Sequence, residues 1–301
     1  MCLCLLSGRR APVVTRLRCV WRIAGCSSAY SSCNASVFGR DGRRAREPSG
    51  KATRQIASTG QPVIDLHCHI LPGLDDGALS LDDSVAMARQ AEEDGITVVC
   101  ATPHIRHDHD VCIEEIASRV RMLAQALADQ GVNLHVVPGG ELAETEADRL
   151  SDAQLRLVAL GGAGGWVLLE PAPGPLGGGL KALVERLAER GLGTVIAHPE
   201  RHAGVDFEGR LRGLVSSGCL IQWTAEFVAD AAPGDLVLRL AGEGLVHLLG
   251  SDAHSSYAGR PVRLAAGFAR LATVCPPEQI AWMVDEAPRA ILRGDTVTPP
   301  R

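Results

Sequence analysis

Short apolar runs alternate with longer amphipathic segments from Pro62 to the end of the chain. Continuous apolar runs, as opposed to alternating apolar and polar positions, indicate parallel strands that are buried on both faces. The runs predicted as strands are Val63–Leu66, Ile96–Ala101, Leu134–Pro138, Trp166–Leu169, Thr194–Ala197, Cys219–Trp223 and Leu245–Leu249. The pattern therefore predicts an α/β fold.

Amphipathic helices are predicted between these strands. Ser80 is a candidate N-cap with acidic residues in the turn that follows, and Gly95 ends that helix. Further helices are predicted over Ile113–Gln130, Leu180–Arg190 and Val262–Ala272, with a short terminal helix from Pro277. Seven strands within roughly 190 residues favour a seven-stranded (β/α)7 TIM-like barrel over a doubly wound sheet, which gathers its site at one switch point.

Side chains that can bind metal follow the ends of six of the seven predicted strands. They are His67, His69, Asp76, His104, Glu141, Glu170, His198, Asp252 and His254. In such barrels, catalytic groups gather at the C-terminal ends of the strands. Five histidines and four carboxylates suit divalent metals of borderline hardness, and they are too many for a single ion. The sequence predicts a polynuclear metal hydrolase.

The local spacing supports this hypothesis. Strand alternation places His67 and His69 on the same face, where both can bind one ion. Glu141 follows two glycines, which allow close approach of the backbone, and Glu170 ends an apolar run where an unpaired charge is costly. Any one of these residues would more often be a hydrogen-bonded core residue. Their convergence at one end of the fold favours metal binding.

Two arginines near these motifs are candidates for binding phosphate. Arg201 lies three residues after His198, and Arg260 follows His254 in a Gly-Arg-Pro segment. Either could be a solvated surface residue. Close to metal ions they would instead hold phosphate oxygens through paired N–H donors.

Charge divides the chain at about residue 60. Residues 1–60 hold eleven basic and two acidic residues, whereas residues 61–301 carry a net charge of −14. The acidic part is a poor partner for nucleic acid. Residues 1–60 are predicted as a basic, disordered extension, with a transit peptide or a start codon assigned too far upstream as alternatives. No apolar stretch is long enough for membrane insertion, and scattered single cysteines indicate a reducing, cytoplasmic location.

The ordered motifs also carry a resemblance to a known family. They are the segments 64–77, Thr102–His104, Gly140–Glu141, Leu169–Glu170, Ala197–Arg201 and Ser251–His254. Together they resemble the bacterial metal-dependent protein tyrosine phosphatases of the polymerase and histidinol phosphatase (PHP) superfamily, of the capsule and exopolysaccharide operon type. The resemblance covers about residues 62 to 293 and implies a distorted (β/α)7 barrel of the PHP type over residues 61–301. One departure is that Gln222–Thr224 lacks an asparagine common in the family.

The resemblance implies roles for individual residues, position by position. A first metal would take His67, His69 and Asp252, with Glu141 as a bridge to a second ion that Glu170 and His198 also hold. Asp76, His104 and His254 would hold a third ion. Arg201 and Arg260 would bind phosphate and stabilise the transition state. The implied cofactor is Mn²⁺, as two or three ions, with iron or zinc as alternatives.

The implied activity is hydrolysis of phosphotyrosine in proteins, with a bacterial tyrosine kinase of polysaccharide synthesis as the expected partner. Metal-activated hydroxide would attack phosphorus without a cysteinyl-phosphate intermediate. Two alternatives remain open: a small-molecule phosphatase of the histidinol phosphatase type, and a non-catalytic metal-binding regulatory module. The sequence does not indicate the oligomeric state.

One motif points to a different mechanism. The segment from Cys100 to Arg106 fits the cysteine-x5-arginine pattern of thiol-based tyrosine phosphatases. Those enzymes cradle phosphate with backbone N–H groups, but here Pro103 removes a donor and no glycine occurs in the segment. The thiol mechanism is therefore not expected.

Overall fold

A computed structural model describes residues 62–232 and 234–300. The predicted basic extension, residues 1–60, lies outside the described residues. Among the helices of the described part, none is long and apolar enough to cross a membrane.

The strands of the described residues form two sheets in which every neighbouring pair is parallel. The strands are β1 (Val63–Cys68), β2 (Ile96–Ala101), β3 (His104–Ile105), β4 (His135–Pro138), β5 (Glu141–Ala143), β6 (Trp166–Glu170), β7 (Gly193–Ala197), β8 (Leu220–Thr224) and β9 (Leu248–Gly250). The smaller sheet has the order β1-β2-β4, and the larger has the order β3-β5-β6-β7-β8-β9. The prediction of an α/β fold with buried parallel strands is confirmed.

The closed seven-stranded barrel is not confirmed, because the strands form two separate sheets and two of the predicted strands are each followed by a short additional strand in the other sheet. Thr102 and Pro103 separate β2 from β3, and Gly139 and Gly140 separate β4 from β5, so both segments pass from one sheet to the other. Proline cannot donate to a ladder, and glycine weakens a strand interior. Between β1 and the segment after β9, an isolated parallel bridge joins Cys68 to Ala253.

Ten α-helices pack around the strands of the described part. They are α1 (Leu81–Glu93), α2 (Ile116–Asp129), α3 (Asp152–Val158), α4 (Gly179–Glu189), α5 (Phe207–Ser216), α6 (Ala225–Ala229), α7 (Leu236–Gly242), α8 (Ala265–Leu271), α9 (Pro277–Ala281) and α10 (Ala287–Arg293). Ser80 caps α1 as predicted, since its hydroxyl accepts a hydrogen bond from the N–H of Asp83 at 3.2 Å. The predicted helices correspond to α1, α2, α4, α8 and the pair α9–α10.

Four helices were not predicted: α3, α5, α6 and α7. The start of α3 has a capping box in which Ser151 and Gln154 bond each other's backbone N–H groups, a signal present in the sequence. Two glycines inside α5 lower its helical propensity, and its buried face of Phe207, Leu211 and Leu214 supplies the packing that holds it.

The core is mostly aliphatic, in keeping with an aromatic content of only 3%. All six residues of β1 are buried, and the inner face of α4 buries Leu180, Leu183, Val184 and Leu187. Because both faces of the parallel sheets are covered, the C-terminal ends of the strands are where functional side chains can reach solvent. The candidate metal ligands follow these ends.

Candidate metal centre

His67 and His69 lie at the C-terminal end of β1. Both residues are 1% exposed, and their Nε2 atoms are 3.3 Å apart. Successive side chains along a strand point to opposite faces, so the two rings lie on one face while Cys68 between them points into the core. Two imidazole nitrogens therefore face one point in a buried environment.

Glu141 lies at the middle of the cluster. Its Oε1 atom is 2.7 Å from Nε2 of His198 and 3.3 Å from Nε2 of His67. Its Oε2 atom is 3.2 Å from Nε2 of His69 and 3.0 Å from Nδ1 of His104. Glu141 is fully buried and begins β5, directly after the glycine pair that interrupts the strand. One carboxylate thus contacts four histidines from three separate segments of the chain.

Asp252 approaches the same point from the end of β9. Its Oδ1 atom is 3.3 Å from Nε2 of His67 and 3.5 Å from Nε2 of His69. The backbone of Asp252 is left-handed, with φ of 49°, and that of His198 is also, with φ of 30°. Such conformations are costly for residues other than glycine and collect at functional sites. Two of the three non-glycine positions with this backbone in the described chain belong to this cluster.

Asp76, His104, His254 and Glu170 extend the cluster toward solvent. Oδ1 of Asp76 lies 3.4 Å from Nε2 of His104 and 3.5 Å from Nε2 of His254. Nδ1 of His104 lies 3.8 Å from Oε2 of Glu170. The Asp76 side chain is 59% exposed, so this side of the cluster is open to a substrate. All nine candidate ligands are thereby joined in one continuous set of contacts.

Three groups of these side chains are compact enough for each to hold an ion, with ligand atoms within 4.8 Å of one another. The groups are His67, His69, Glu141 and Asp252; His69, Asp76, His104 and His254; and His104, Glu141 and Glu170. The first reproduces the set expected for the first metal, and the second contains the set expected for the third. The third group has His104 where His198 was expected, and His198 reaches the cluster through Glu141.

Several buried atoms of the cluster lie close to one another but form no hydrogen bond of suitable geometry within the described part of the chain. They are Oε2 of Glu141, Oδ1 of Asp252, Nδ1 of His104 and Nδ1 of His198. Leaving a buried polar atom unpaired costs about 1–3 kcal/mol. Metal coordination would satisfy such atoms, and mixed nitrogen and carboxylate donors suit divalent transition metals. The residues therefore fit metal ions.

The charge state of the carboxylates also favours cations. Burial favours the neutral form of Glu141, but His67, His104 and His198 outweigh it and hold the pKa well below its usual value. A hydrogen bond from His254 lowers the pKa of Asp76. Carboxylates that stay ionised in a buried cluster provide the negative charge that a divalent cation requires.

Two residues that the sequence analysis did not select orient the histidines. Oδ2 of Asp75 lies 2.8 Å from Nδ1 of His69, and Oε1 of Gln222 lies 2.9 Å from Nδ1 of His67. A partner on Nδ1 fixes the ring and leaves Nε2 for the metal. Asp75 directly precedes the candidate ligand Asp76, so its position in the sequence could have indicated a role at the site. Gln222 is 155 residues from His67, so no local signal connects them.

Asp65 is a third supporting residue that the sequence analysis missed. It is fully buried, and its Oδ1 atom accepts hydrogen bonds from the N–H of His67 at 3.0 Å and of Ser251 at 3.2 Å. Burial raises its pKa to about 6. Asp65 thereby holds the histidine pair against the segment that carries Asp252.

Three arginines border a cavity of about 370 Å³ beside the cluster. The lining residues are Asp76, His104, Arg106, Glu170, Arg201, His254, Gly259 and Arg260. Arg201 donates to Oδ2 of Asp252. Arg260 forms an ion pair with the same atom at 3.1 Å and donates from Nε to the Asp252 carbonyl at 2.6 Å. The two predicted arginines are thus together at the cavity. Arg106 was not predicted there.

Cys100 lies apart from this cavity. It is fully buried in β2, with Sγ 3.4 Å from the carbonyl oxygen of Pro138, and burial raises the pKa of its thiol to about 12. The thiolate is the nucleophilic form of cysteine. Cys100 is therefore in an unsuitable position and charge state for a thiol mechanism.

Comparison with known proteins gives a consistent result. The family model of capsular polysaccharide synthesis proteins CpsB/CapC matches residues 63–293. The tyrosine-protein phosphatase YwqE of Bacillus subtilis is 35% identical over 203 residues, covering 64% of this chain and 78% of the relative. The tyrosine-protein phosphatase CpsB of Streptococcus pneumoniae is 25% identical over 213 residues, covering 64% and 83%.

A solved structure resembles the whole described fold. A chain from the crystal structures of YwqE from Bacillus subtilis and CpsB from Streptococcus pneumoniae superimposes with a TM-score of 0.69 at 29% identity. The match covers 79% of this chain and 98% of that one. Those proteins are described as unique metal-dependent tyrosine phosphatases.

Proposed function

The chain belongs to the CpsB/CapC family of capsular polysaccharide synthesis proteins, and from this premise we propose that it is a manganese-dependent phosphatase acting on phosphotyrosine in proteins. The relatives named above are tyrosine-protein phosphatases, and the similar solved structure is of metal-dependent ones. The predicted resemblance to this family is confirmed.

One observation carries the proposal: a cluster of metal-binding side chains and three arginines border the same cavity. The buried end of the cluster centres on Glu141, and the cavity lies at its exposed end. A metal centre without neighbouring arginine side chains would suit many hydrolytic reactions. Arginines that line the entrance favour an anionic substrate, and a phosphate monoester fits their paired donors.

The ions would be held by the eight side chains in the three groups described above, and His198 would support them through its contact with Glu141. Histidine and carboxylate together suit Mn²⁺, with iron or zinc as alternatives. A divalent ion, when bound, supplies Lewis acidity that makes water nucleophilic at neutral pH and balances charge on the phosphoryl oxygens. Asp75, Gln222 and Asp65 would keep the histidines in place for this role.

Asp252 would connect the metal centre to the phosphate-binding arginines. Its Oδ1 atom faces the nitrogens of His67 and His69, while its Oδ2 atom accepts a hydrogen bond from Arg201 and forms an ion pair with Arg260. Both guanidinium groups are thereby positioned before substrate arrives, which reduces the entropy lost on binding. They would hold the phosphoryl oxygens while a water oxygen bonds to phosphorus and the bond from phosphorus to the tyrosine oxygen breaks. No cysteinyl phosphate forms.

A protein substrate is consistent with the open side of the centre. Asp76 is largely exposed, so a phosphotyrosine side chain on a protein surface would reach the cavity. The family's role in capsular polysaccharide synthesis favours a tyrosine kinase of that process as the partner. A cytoplasmic location is favoured by the cysteines of the described residues, all of which are unpaired. We further propose that residues 1–60 are an extension outside the phosphatase domain, since the family match begins at residue 63.

Metal removal and replacement tests the proposed function. The protein is treated with a chelator, its metal content is measured by plasma mass spectrometry, and turnover is followed on a phosphotyrosine peptide. We expect turnover to disappear with the metal and to return with Mn²⁺. Turnover that survives complete metal removal would refute the mechanism.

Substrate preference is tested on the same preparation. Rates are compared for a phosphotyrosine peptide, histidinol phosphate and a nucleoside monophosphate. We expect the peptide to have the highest kcat/KM. Equal or faster turnover of histidinol phosphate would favour the small-molecule alternative, and no turnover of any substrate would favour a regulatory module.

A further inference from the structure

Arg106 lines the same cavity as Arg201 and Arg260, but the mechanism proposed above gives only those two arginines a specific contact with the phosphoryl group. It comes directly after β3 in the chain. Arg201 and Arg260 are anchored on Asp252, whereas Nη1 of Arg106 lies 3.3 Å from Oε2 of Glu170. The cavity therefore has guanidinium groups anchored on two different carboxylates.

Contacts from its own loop hold the Arg106 side chain in place. Its Nε donates to Oδ1 of Asp108 at 2.6 Å, and its Nη2 lies 3.2 Å from Nε2 of His109. The His109 ring in turn stacks on His104, with centroids 5.1 Å apart and planes 16° from parallel. A guanidinium held on three sides has lost most of its rotamer freedom before any ligand binds.

Some N–H donors of the Arg106 guanidinium are not used in these contacts. A guanidinium has five N–H donors. In Arg106 the Nε–H and one N–H on each terminal nitrogen point to Asp108, Glu170 and His109. One N–H on each of Nη1 and Nη2 remains, and the side chain is 28% exposed at the cavity wall. Two N–H donors on one planar group match two oxygens of a phosphate.

We propose that Arg106 is a third arginine that binds the phosphoryl group of the substrate, from the Glu170 side of the cavity; this inference rests on the proposed function. Arg201 and Arg260 bind the same group from the Asp252 side. Asp108 and His109 are positioning residues that keep the Arg106 donors directed into the cavity. The loop of residues 106–109 thereby becomes part of the substrate site.

A purely structural role for Arg106 would give a different outcome. Arg106 contacts Glu170, which is a candidate metal ligand. If its function were only to orient Glu170, its loss would lower the metal content and leave phosphate affinity per loaded site unchanged. Metal content and phosphate binding therefore have to be measured on the same sample.

The experiment compares Arg106→Ala, Arg106→Lys and Asp108→Asn with the Mn²⁺-loaded wild type. Arg149→Ala is the matched control, because Arg149 is an exposed arginine that pairs with Glu146 and does not line the cavity. Binding of inorganic phosphate is measured by calorimetry, and metal content is measured by plasma mass spectrometry. KM and kcat are determined with a phosphotyrosine peptide as substrate.

Removing a hydrogen bond to a charged group typically costs enough free energy for roughly a tenfold loss of affinity or more. We expect Arg106→Ala to raise both the phosphate Kd and the peptide KM by about that factor at wild-type metal content. Arg106→Lys should recover part of the loss because it keeps the charge without the paired donors, and Asp108→Asn should give a smaller rise in KM. Arg149→Ala should match wild type.

Unchanged phosphate Kd and KM in Arg106→Ala would overturn the inference, as would a loss confined to metal content. Phosphate binding requires no turnover, so it also separates the two proposals. A wild type that binds phosphate through Arg106 but hydrolyses no phosphotyrosine peptide refutes the proposed function and leaves this inference standing. If the wild type is active and the Arg106→Ala variant is unaffected, the proposed function stands and this inference is refuted.

Discussion

Substituting Gly250 by alanine should disturb the metal centre from a position that contacts no metal. Gly250 ends β9, and a Cβ atom there would lie 2.7 Å from both Cδ and Oε1 of Gln222 and 2.8 Å from Cβ of His67. Cβ atoms in proteins essentially never approach other atoms below 3.0 Å. Gln222 and His67 must therefore move apart from the new methyl group.

The expected magnitude follows from what those two residues do. Overpacking a buried position costs about 1–3 kcal/mol of unfolding free energy. In a domain of this size, each kcal/mol lowers the Tm by roughly 2–4 °C. The shift also breaks the 2.9 Å contact between Oε1 of Gln222 and Nδ1 of His67, which orients the ring. Losing such a partner typically lowers metal affinity or activity roughly 10- to 100-fold.

The assay combines thermal unfolding of the metal-loaded protein, metal content after dialysis, and turnover of a phosphotyrosine peptide. Gly213→Ala is the matched control, since Gly213 lies inside α5 and an added Cβ there meets no heavy atom within 4 Å. Gly213→Ala should raise stability by about 0.4–1 kcal/mol and leave metal content unchanged. A Gly250→Ala variant with wild-type Tm, metal content and turnover would refute the reasoning.

Two further substitutions test other parts of the site. Glu141→Gln removes a charge that faces four histidines, and breaking a buried charge cluster costs about 3–5 kcal/mol, so turnover should fall at least roughly a hundredfold together with metal content. Normal kcat and metal content in this variant would contradict the central position of Glu141. Cys100→Ser should keep wild-type turnover on the phosphotyrosine peptide, because the Cys100 thiol is buried with its pKa raised to about 12. Complete loss of turnover in a folded, metal-loaded Cys100→Ser protein would instead support a thiol mechanism.

The strands were the most predictable part of the fold. Each predicted apolar run falls in a strand or directly beside one, because parallel strands covered on both faces require continuous Val, Ile and Leu. The closure of the barrel was not predictable in the same way. Pro103 and Gly139 lie in motifs of the predicted site. Their effect on strand pairing depends on which strand lies beside them, and hydrophobic periodicity does not contain that information. The glycines of α5 likewise concealed a helix that tertiary packing stabilises.

The candidate ligands were predictable for a physical reason: a charged or imidazole side chain at the end of a buried strand is costly unless something binds it. All nine lie in one cluster. The residues that orient them were harder to find. Gln222 and Asp65 act through contacts with partners 155 and 186 residues away along the chain, so no local pattern marks them. In the sequence, Arg106 stood out only as the last residue of the cysteine-x5-arginine pattern, whose cysteine is buried away from the cavity.

The hydrogen bonds from His67 and Ser251 to Asp65 have a consequence for the order of events during synthesis. The first candidate ligands, His67 and His69, leave the ribosome early, but the segment that fixes them against Asp252 follows more than half the chain later. A nascent chain therefore exposes His67 and His69 without their partners and cannot retain an ion tightly at that stage. Cation uptake becomes a late step that coincides with the docking of β9, so a protein truncated before Ser251 would be unable to mature even if its earlier strands had formed.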